Sequence, residues 1–300
     1  MKSPRPKAPK STPKYAPKYA KPTEEPGTTG HSWDGIREYD NPLPRWWLWI
    51  FYATIIWSVI YMVVYPSWPL LKEATPGLLG YSSRAEYNET IKEYAAVTAP
   101  LDARLVATDL TEIHTDPELA QYANSGGAAV FRTYCSQCHG SGAAGSKGYP
   151  NLLDDDWLWG GSFDEIYHTV RYGVRSDFDD ARYSEMPAFG DLLESHELDQ
   201  VKHYVMSLSG SVYNAALAPA GQQVFQDNCA DCHGENGQGN REFGAPNLTD
   251  KVWLYDQDQS GVLAIITNSR FGIMPGWQDK LTEAELRQVT YYVHQLGGGE

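Results

Sequence analysis

The chain has 300 residues, with 24 Lys and Arg against 38 Asp and Glu, which gives a formal net charge of −14 at pH 7. That length allows one or two domains plus tails and is sufficient to bury a sizeable core. The acidic balance excludes nucleic-acid binding as the main task, because a phosphate polymer would be repelled. Four cysteines are too few for a disulfide-rich scaffold.

The N-terminal segment differs from the rest of the chain in charge. Residues 1–45 have a net charge of +4, whereas residues 66–300 have a net charge of −18. The first 30 residues are rich in Pro, Lys and Thr. Such a composition buries too little apolar surface to offset the loss of chain entropy on folding. The sequence therefore predicts a disordered basic tail over residues 1–45.

Residues 46–65 contain no charged side chain. A helix needs about 20 apolar residues to cross a bilayer, and Trp and Tyr are expected at both of its ends, as found here. A buried core helix and a cleaved signal peptide are the alternatives. A signal peptide is disfavoured because the apolar run begins after 45 residues and no small-residue cleavage site follows it. The positive-inside rule then places the tail in the cytoplasm and everything after the span outside.

A connector over residues 66–120 is followed by a duplication, which predicts two domains at residues 121–209 and 215–300. Four landmarks recur in the same order, separated by 88 to 96 residues. The matched segments are residues 135–139 with 229–233, 150–152 with 246–248, 186–187 with 274–275, and 198–201 with 286–289. Apolar residues at helical spacing predict closing helices over residues 195–207 and 282–296. Earlier helices are predicted over residues 163–172 and 260–268, so both domains are mainly helical.

All four cysteines fall in two C-x-x-C-H motifs, the signature of covalent c-type haem attachment. Two cysteines on one turn reach the two vinyl groups of a haem, and the next residue, histidine, lies beneath the iron as its proximal ligand. The motifs predict two haem c groups, one attached to Cys135 and Cys138 with His139 as ligand. The other is attached to Cys229 and Cys232, with His233 as its ligand.

A structural zinc site and a redox dithiol are the competing interpretations of C-x-x-C. Two pairs together could form one four-cysteine zinc site. That interpretation leaves His139 and His233 unexplained, together with the repeated landmarks downstream of them.

A six-coordinate haem iron needs a second axial ligand. Met186 and Met274 each precede a proline in matched contexts, which favours methionine ligation over a simple packing role. By proximity each methionine would serve the haem of its own domain, but two fused domains could also exchange them, and the sequence leaves both arrangements open. Pro150 and Pro246 are predicted to offer a carbonyl to the N–H of the proximal imidazole.

The whole pattern resembles the di-haem subunit III of cbb3-type cytochrome c oxidases. The most specific local feature is the approach to the span, Asn41-Pro-Leu-Pro-Arg-Trp-Trp, because C-x-x-C-H alone marks any cytochrome c. The resemblance implies an all-α fold with one N-terminal transmembrane helix and two tandem class-I cytochrome c domains. It implies a non-catalytic electron-transfer subunit, single-pass in the bacterial inner membrane, with its haem domains in the periplasm.

The resemblance also implies partners. Electrons would come from a donor cytochrome c and pass through a mono-haem cytochrome c subunit to the catalytic haem-copper subunit that reduces O2. Two other classes stay open, namely a di-haem cytochrome tethered to another respiratory or dehydrogenase complex and a di-haem peroxidase. A peroxidase needs an open iron and distal acid–base groups, which the matched methionines disfavour.

Overall fold

The computed structural model describes residues 27–300, and the predicted disorder of residues 1–26 lies outside them. The chain divides into two units, residues 1–91 and residues 92–300. The described part is mainly helical, as predicted, with one small β-hairpin.

The first unit begins with a hairpin in a region where no regular structure is predicted. Its strands are β1 (Thr28–Trp33) and β2 (Ile36–Tyr39), paired antiparallel and exposed throughout. The turn between them is made by Asp34 and Gly35, both with positive φ. This two-residue Asp-Gly connection is a strong local hairpin signal, which a prediction from overall composition overlooks.

The predicted span forms α1 (Arg45–Val64), one residue earlier than expected. It has 20 residues, a mean hydropathy of 1.9 over its most apolar window and no buried residue. Because Pro66 disfavours helical backbone in the residue before it, Tyr65 is extended and the helix ends at Val64. The following segment returns to the helix end, where the N–H groups of Leu78 and Leu79 donate to the carbonyls of Val63 and Val64, both at 3.1 Å. These bonds satisfy carbonyls that a helix terminus otherwise leaves unpaired.

Nine further helices follow in the chain, and the predicted ones are found within a few residues of their expected ends. They are α2 (Ser83–Ala107), α3 (Pro117–Val130), α4 (Ser136–His139), α5 (Phe163–Tyr172), α6 (Ser195–Leu208), α7 (Ala218–Asn228), α8 (Ala230–His233), α9 (Gln259–Asn268) and α10 (Glu283–His294). A π-helical turn (Phe131–Cys135) joins α3 to α4.

The second unit contains two lobes that exchange their closing helices. Helix α10, at the end of the chain, packs against α3 and α5, whereas α6 packs against α7 and α9. We call α3, α4, α5 and α10 the first lobe, and α6, α7, α8 and α9 the second lobe. The core of the first lobe combines Phe131 and Val170 with Val289 and Val293 of α10. Each lobe therefore combines one C-x-x-C-H motif with the closing helix from the other half of the duplication.

Two glycines allow the exchanged helices to cross closely. A Cβ on Gly127 of α3 would lie 2.1 Å from the carbonyl oxygen of Gln288 in α10. A Cβ on Gly221 of α7 would lie 2.0 Å from the carbonyl oxygen of Gln200 in α6. Real Cβ atoms do not approach backbone this closely, so both crossings depend on glycine.

We expect Gly127→Ala to loosen α10, although α10 lies more than 150 residues further along the chain. Overpacking of this kind costs about 1–3 kcal/mol. Hydrogen exchange followed by mass spectrometry should show faster exchange in residues 283–294 and unchanged exchange in residues 195–208. Gly221→Ala is the matched control and should give the reverse pattern. Loss of protection in α6 upon Gly127→Ala would contradict the exchange of helices.

The end of the connector packs on the first lobe. Leu105 and Ile113 are fully buried in a small core that also contains Tyr291 of α10. Arg287 of α10 donates from Nε to the carbonyl of Leu105 at 2.9 Å and from Nη2 to the carbonyl of Thr108. These contacts tie residues 105–113 to the exchanged helix.

Candidate functional site

The first C-x-x-C-H motif lies where α3 runs through the π-helical turn into α4. Gly140 ends α4 with φ of 79°, a conformation that favours glycine. His139 is buried, and its Nδ1 lies 3.0 Å from the carbonyl oxygen of Pro150. Because a carbonyl only accepts, Nδ1 carries the proton and Nε2 is left with its lone pair. The predicted contact with Pro150 is confirmed.

The second motif repeats this arrangement. Gly234 ends α8 with φ of 79°, and His233 Nδ1 lies 3.1 Å from the carbonyl oxygen of Pro246. The predicted contact with Pro246 is therefore also confirmed. A hydrogen bond of this kind fixes the tautomer and orientation of a metal-binding imidazole and raises its basicity as a ligand.

Burial favours the neutral form of both imidazoles. It lowers the pKa of His139 and of His233, and the hydrogen bonds to Pro150 and Pro246 oppose this effect only in part. A neutral imidazole with a free Nε2 is the form that binds iron, since an imidazolium has no lone pair to donate.

Each methionine lies in the lobe that contains the C-x-x-C-H motif of the other half of the duplication, and not in the lobe of the motif nearest before it in the sequence. Met274 packs against the first-lobe core, as Cys135 does, and Met186 packs against the second-lobe core, as Cys229 does. The N–H of Val174, just after α5, donates to the carbonyl of Met274 at 2.9 Å, and the N–H of Met274 donates back at 3.0 Å.

The Met186 segment is held by an equivalent contact in the second lobe. The hydroxyl of Ser269, just after α9, donates to the carbonyl of Met186 at 2.6 Å. The residues just after α5 therefore bind the Met274 segment, and the residues just after α9 bind the Met186 segment. In both cases the methionine comes from the other half of the duplication.

A cavity of about 390 Å³ runs through both lobes. This volume lies within the range of about 300–1,000 Å³ that ligand pockets usually have. Its walls are mostly apolar. All eight predicted site residues line it: Cys135, Cys138, His139, Met186, Cys229, Cys232, His233 and Met274.

An unpaired indole N–H gives a further test of whether a haem fits. Trp253 lines the cavity, and its Nε1 is one of three buried side-chain polar atoms without a hydrogen-bond partner among residues 27–300. Because an unpaired buried donor costs free energy, this N–H points to an acceptor carried by a bound group, and haem propionates are such acceptors. The equivalent Trp157 instead donates to the carbonyl of Gly298 at 2.5 Å. Trp157 and Trp253 are equivalent positions 96 residues apart, so the repeat alone does not predict that their indole N–H groups differ in hydrogen bonding.

The competing interpretations of the cysteines fit less well. Across the described residues 27–300, no three His, Cys, Asp or Glu side chains are close enough to hold a metal ion. A four-cysteine zinc site between the motifs is therefore disfavoured. Burial raises the pKa of Cys135 and of Cys229 to about 11, with a smaller contribution from the second cysteine of each motif. A redox dithiol needs the opposite, a lowered thiol pKa.

Comparison with known proteins gives the same family at both ends of the chain. The N-terminal domain of cytochrome oxidase-cbb3, FixP, matches residues 25–72. Cytochrome c oxidase, cbb3-type, subunit III matches residues 123–205 and 216–293, one match for each half of the duplication.

Curated relatives match along nearly their full length. The cbb3-type cytochrome c oxidase subunit CcoP of Cereibacter sphaeroides is 57% identical over 287 residues, which cover 93% of this chain and 99% of the relative. Subunit FixP of Sinorhizobium medicae is 52% identical over 274 residues, covering 91% and 95% of the two chains. Subunit CcoP of Rhodobacter capsulatus is 50% identical over 294 residues, covering 93% and 99%. The chain therefore belongs to the subunit III family of cbb3-type cytochrome c oxidases, as a membrane-anchored, haem c-binding electron-transfer subunit.

Proposed function

We propose that this subunit carries two haem c groups and relays electrons through both lobes. Bound haem iron supplies reversible one-electron transfer between its ferric and ferrous states. The observation that carries the proposal is the duplicated site, in which each histidine is oriented by a proline carbonyl and lines the same cavity as a methionine. Cys135, Cys138 and His139 would hold one haem, and Cys229, Cys232 and His233 the other.

The packing of the methionines supports crossed ligation. Met274 would bind the iron above His139, and Met186 would bind the iron above His233, because each methionine packs in the lobe of that histidine. Thioether ligation raises the potential of a haem relative to bis-histidine ligation and closes the iron to substrates. Such a haem suits electron transfer better than the peroxide chemistry of a di-haem peroxidase.

Intact-mass spectrometry of the purified full chain tests the number of haems. We expect the mass of the polypeptide plus two haem groups, since each thiol pair forms two thioether bonds. Replacing Cys229 and Cys232 with serine should remove one haem and leave the other attached. A chain that carries a single haem, or zinc without haem, would refute the proposal.

The electron donor is proposed to be a cytochrome c with a basic surface, and the acceptor to be the mono-haem subunit that precedes the catalytic haem-copper subunit. The net charge of −18 over residues 66–300 supports the first assignment. Attraction between opposite charges speeds encounter and is screened by salt. Membership of the oxidase family supports the second assignment.

The proposed orientation puts the N-terminus in the cytoplasm and the two lobes in the periplasm of a bacterial inner membrane. The nine basic side chains that precede or begin α1 support it, because positively charged flanks favour the cytoplasmic side. Protease added to spheroplasts should digest the lobes and leave the N-terminal tail intact, as detected with antibodies against each part. Digestion of the tail with intact lobes would show the inverted orientation.

A further inference from the structure

A single arginine side chain contacts the two segments that carry the methionines. Arg175 lies in the loop after α5, and its Nε donates to the carbonyl of Ser184 at 2.7 Å. Its Nη1 donates to the carbonyl of Gly272 at 2.9 Å. The two acceptors are 88 residues apart in the sequence, one in each half of the duplication.

The two carbonyls occupy the same position relative to the two methionines. Ser184 is two residues before Met186, and Gly272 is two residues before Met274. They are also equivalent positions of the duplication, so the guanidinium binds both copies of one structural element. The methionine segments therefore share a hydrogen-bond donor, although the methionines themselves pack in different lobes.

The backbone and surroundings of Arg175 hold its side chain in place. Arg175 has φ of 52°, in the left-handed region that few residues other than glycine adopt. Its N–H donates to the carbonyl of Arg182 at 2.8 Å, which closes the loop. The preceding residue, Val174, pairs with Met274, and the guanidinium lies 5.2 Å from the centre of the Phe271 ring.

The chemistry of the side chain explains why arginine is suited to this position. A guanidinium presents five N–H donors in a rigid planar fork, so two donors can serve two carbonyls at once. Lysine offers a compact point charge on a flexible chain and cannot hold both acceptors in one fixed geometry. A neutral residue would leave the two carbonyls without a charged donor.

We propose that Arg175 is a positioning residue that holds both methionine segments closed over their irons. The proposal rests on the proposed His–Met ligation of the two haems. It predicts that a substitution of Arg175 weakens methionine binding at both haems. A substitution of a residue that contacts only one methionine segment should weaken methionine binding at one haem. Losing a hydrogen bond from a charged donor should raise the equilibrium constant for methionine detachment about ten-fold.

The test uses the haem-loaded full chain in detergent, in its ferric form, with cyanide as the competing ligand. Cyanide binds iron when methionine detaches, and the far-red methionine–iron absorption band reports how much methionine remains bound. Met186→His and Met274→His provide two backgrounds, each with one remaining methionine-ligated haem. In both backgrounds Arg175→Gln should lower by about ten-fold the cyanide concentration that halves the band.

Arg182→Gln is the matched control. Arg182 lies in the same loop, and its Nε donates to the hydroxyl of Thr169 at 3.0 Å while its guanidinium lies 5.6 Å from the Trp159 ring, so it binds neither methionine segment. This variant removes the same charge and should leave cyanide binding unchanged. Arg175→Lys should give a smaller change of the same sign in both backgrounds, and it replaces Arg175→Gln if that variant takes up no haem.

The outcomes separate the two proposals. Absence of a methionine–iron band in the unmodified chain would refute the ligation itself. If the unmodified chain shows the band but Arg175→Gln changes cyanide binding in one background only, or in neither, the shared role of Arg175 is overturned. The methionine ligation would then still stand. An equal effect of Arg182→Gln would likewise overturn it, because the change would then come from the loop in general.

Discussion

Replacing Met274 with alanine is expected to remove the methionine ligand from the haem attached to Cys135 and Cys138. The reason is that Met274 packs in the core of the first lobe, and its backbone pairs with Val174 at the end of α5. Loss of a thioether ligand should lower the potential of that haem by on the order of 0.2 V, within the range over which axial ligands tune haem. Potentiometric titration and the far-red methionine–iron band measure the two effects.

A single-haem chain makes this assignment unambiguous. With Cys229 and Cys232 replaced by serine, only the first-lobe haem remains, and Met274→Ala should abolish its methionine–iron band. Met186→Ala in the same chain is the matched control and should leave the band in place. If Met186→Ala abolished the band and Met274→Ala preserved it, each methionine would serve the haem of its own half, and the crossed assignment would be wrong.

Replacing Phe131 with alanine is expected to destabilise the first lobe by about 3–5 kcal/mol, the usual cost of removing a large buried aromatic ring. Only 1% of Phe131 is exposed, and its ring centre lies 5.6 Å from that of Tyr292 in α10. The loss therefore weakens the contact between the C-x-x-C-H motif and the helix from the far end of the chain. Denaturant unfolding monitored by haem absorbance measures the free energy of unfolding.

Two variants complete this prediction. Phe225→Ala, at the equivalent and fully buried position beside Tyr204, should cost a similar amount in the second lobe. Tyr183→Ala is the control, since Tyr183 is 68% exposed and its removal should change stability by no more than about 0.5 kcal/mol. A change below 1 kcal/mol upon Phe131→Ala would contradict the close packing of α10 on the first lobe.

Local patterns were enough to predict most of the helices and the residues that line the proposed haem sites. Helices α5 and α6 begin at the predicted residues, and His139 and His233 meet the proline carbonyls expected for them. These features depend on neighbours within about one turn of helix or one short loop. The same is true of the Asp34-Gly35 turn, which a closer inspection of the tail would have identified.

The exchange of the closing helices could not be derived from the repeats themselves. Because the two halves carry similar landmarks, α3 has two chemically similar candidates, α6 and α10, and periodicity does not distinguish them. The deciding constraint is the short link between α6 and α7, residues 209–217, since helices joined by a short connection normally pack as neighbours. Once α6 packs on α7, α10 is the remaining closing helix that can pack on α3. The length of the link between α6 and α7 was therefore the feature of the sequence that indicates the exchange.

Cryo-electron microscopy of the haem-loaded oxidase at a resolution that separates side chains tests crossed ligation most directly. We predict density that joins the sulfur of Met274 to the iron of the haem bound by Cys135 and Cys138. Equivalent density should join Met186 to the haem bound by Cys229 and Cys232. Density from Met186 to the first-lobe iron, or an iron without a methionine ligand in either lobe, would contradict the account.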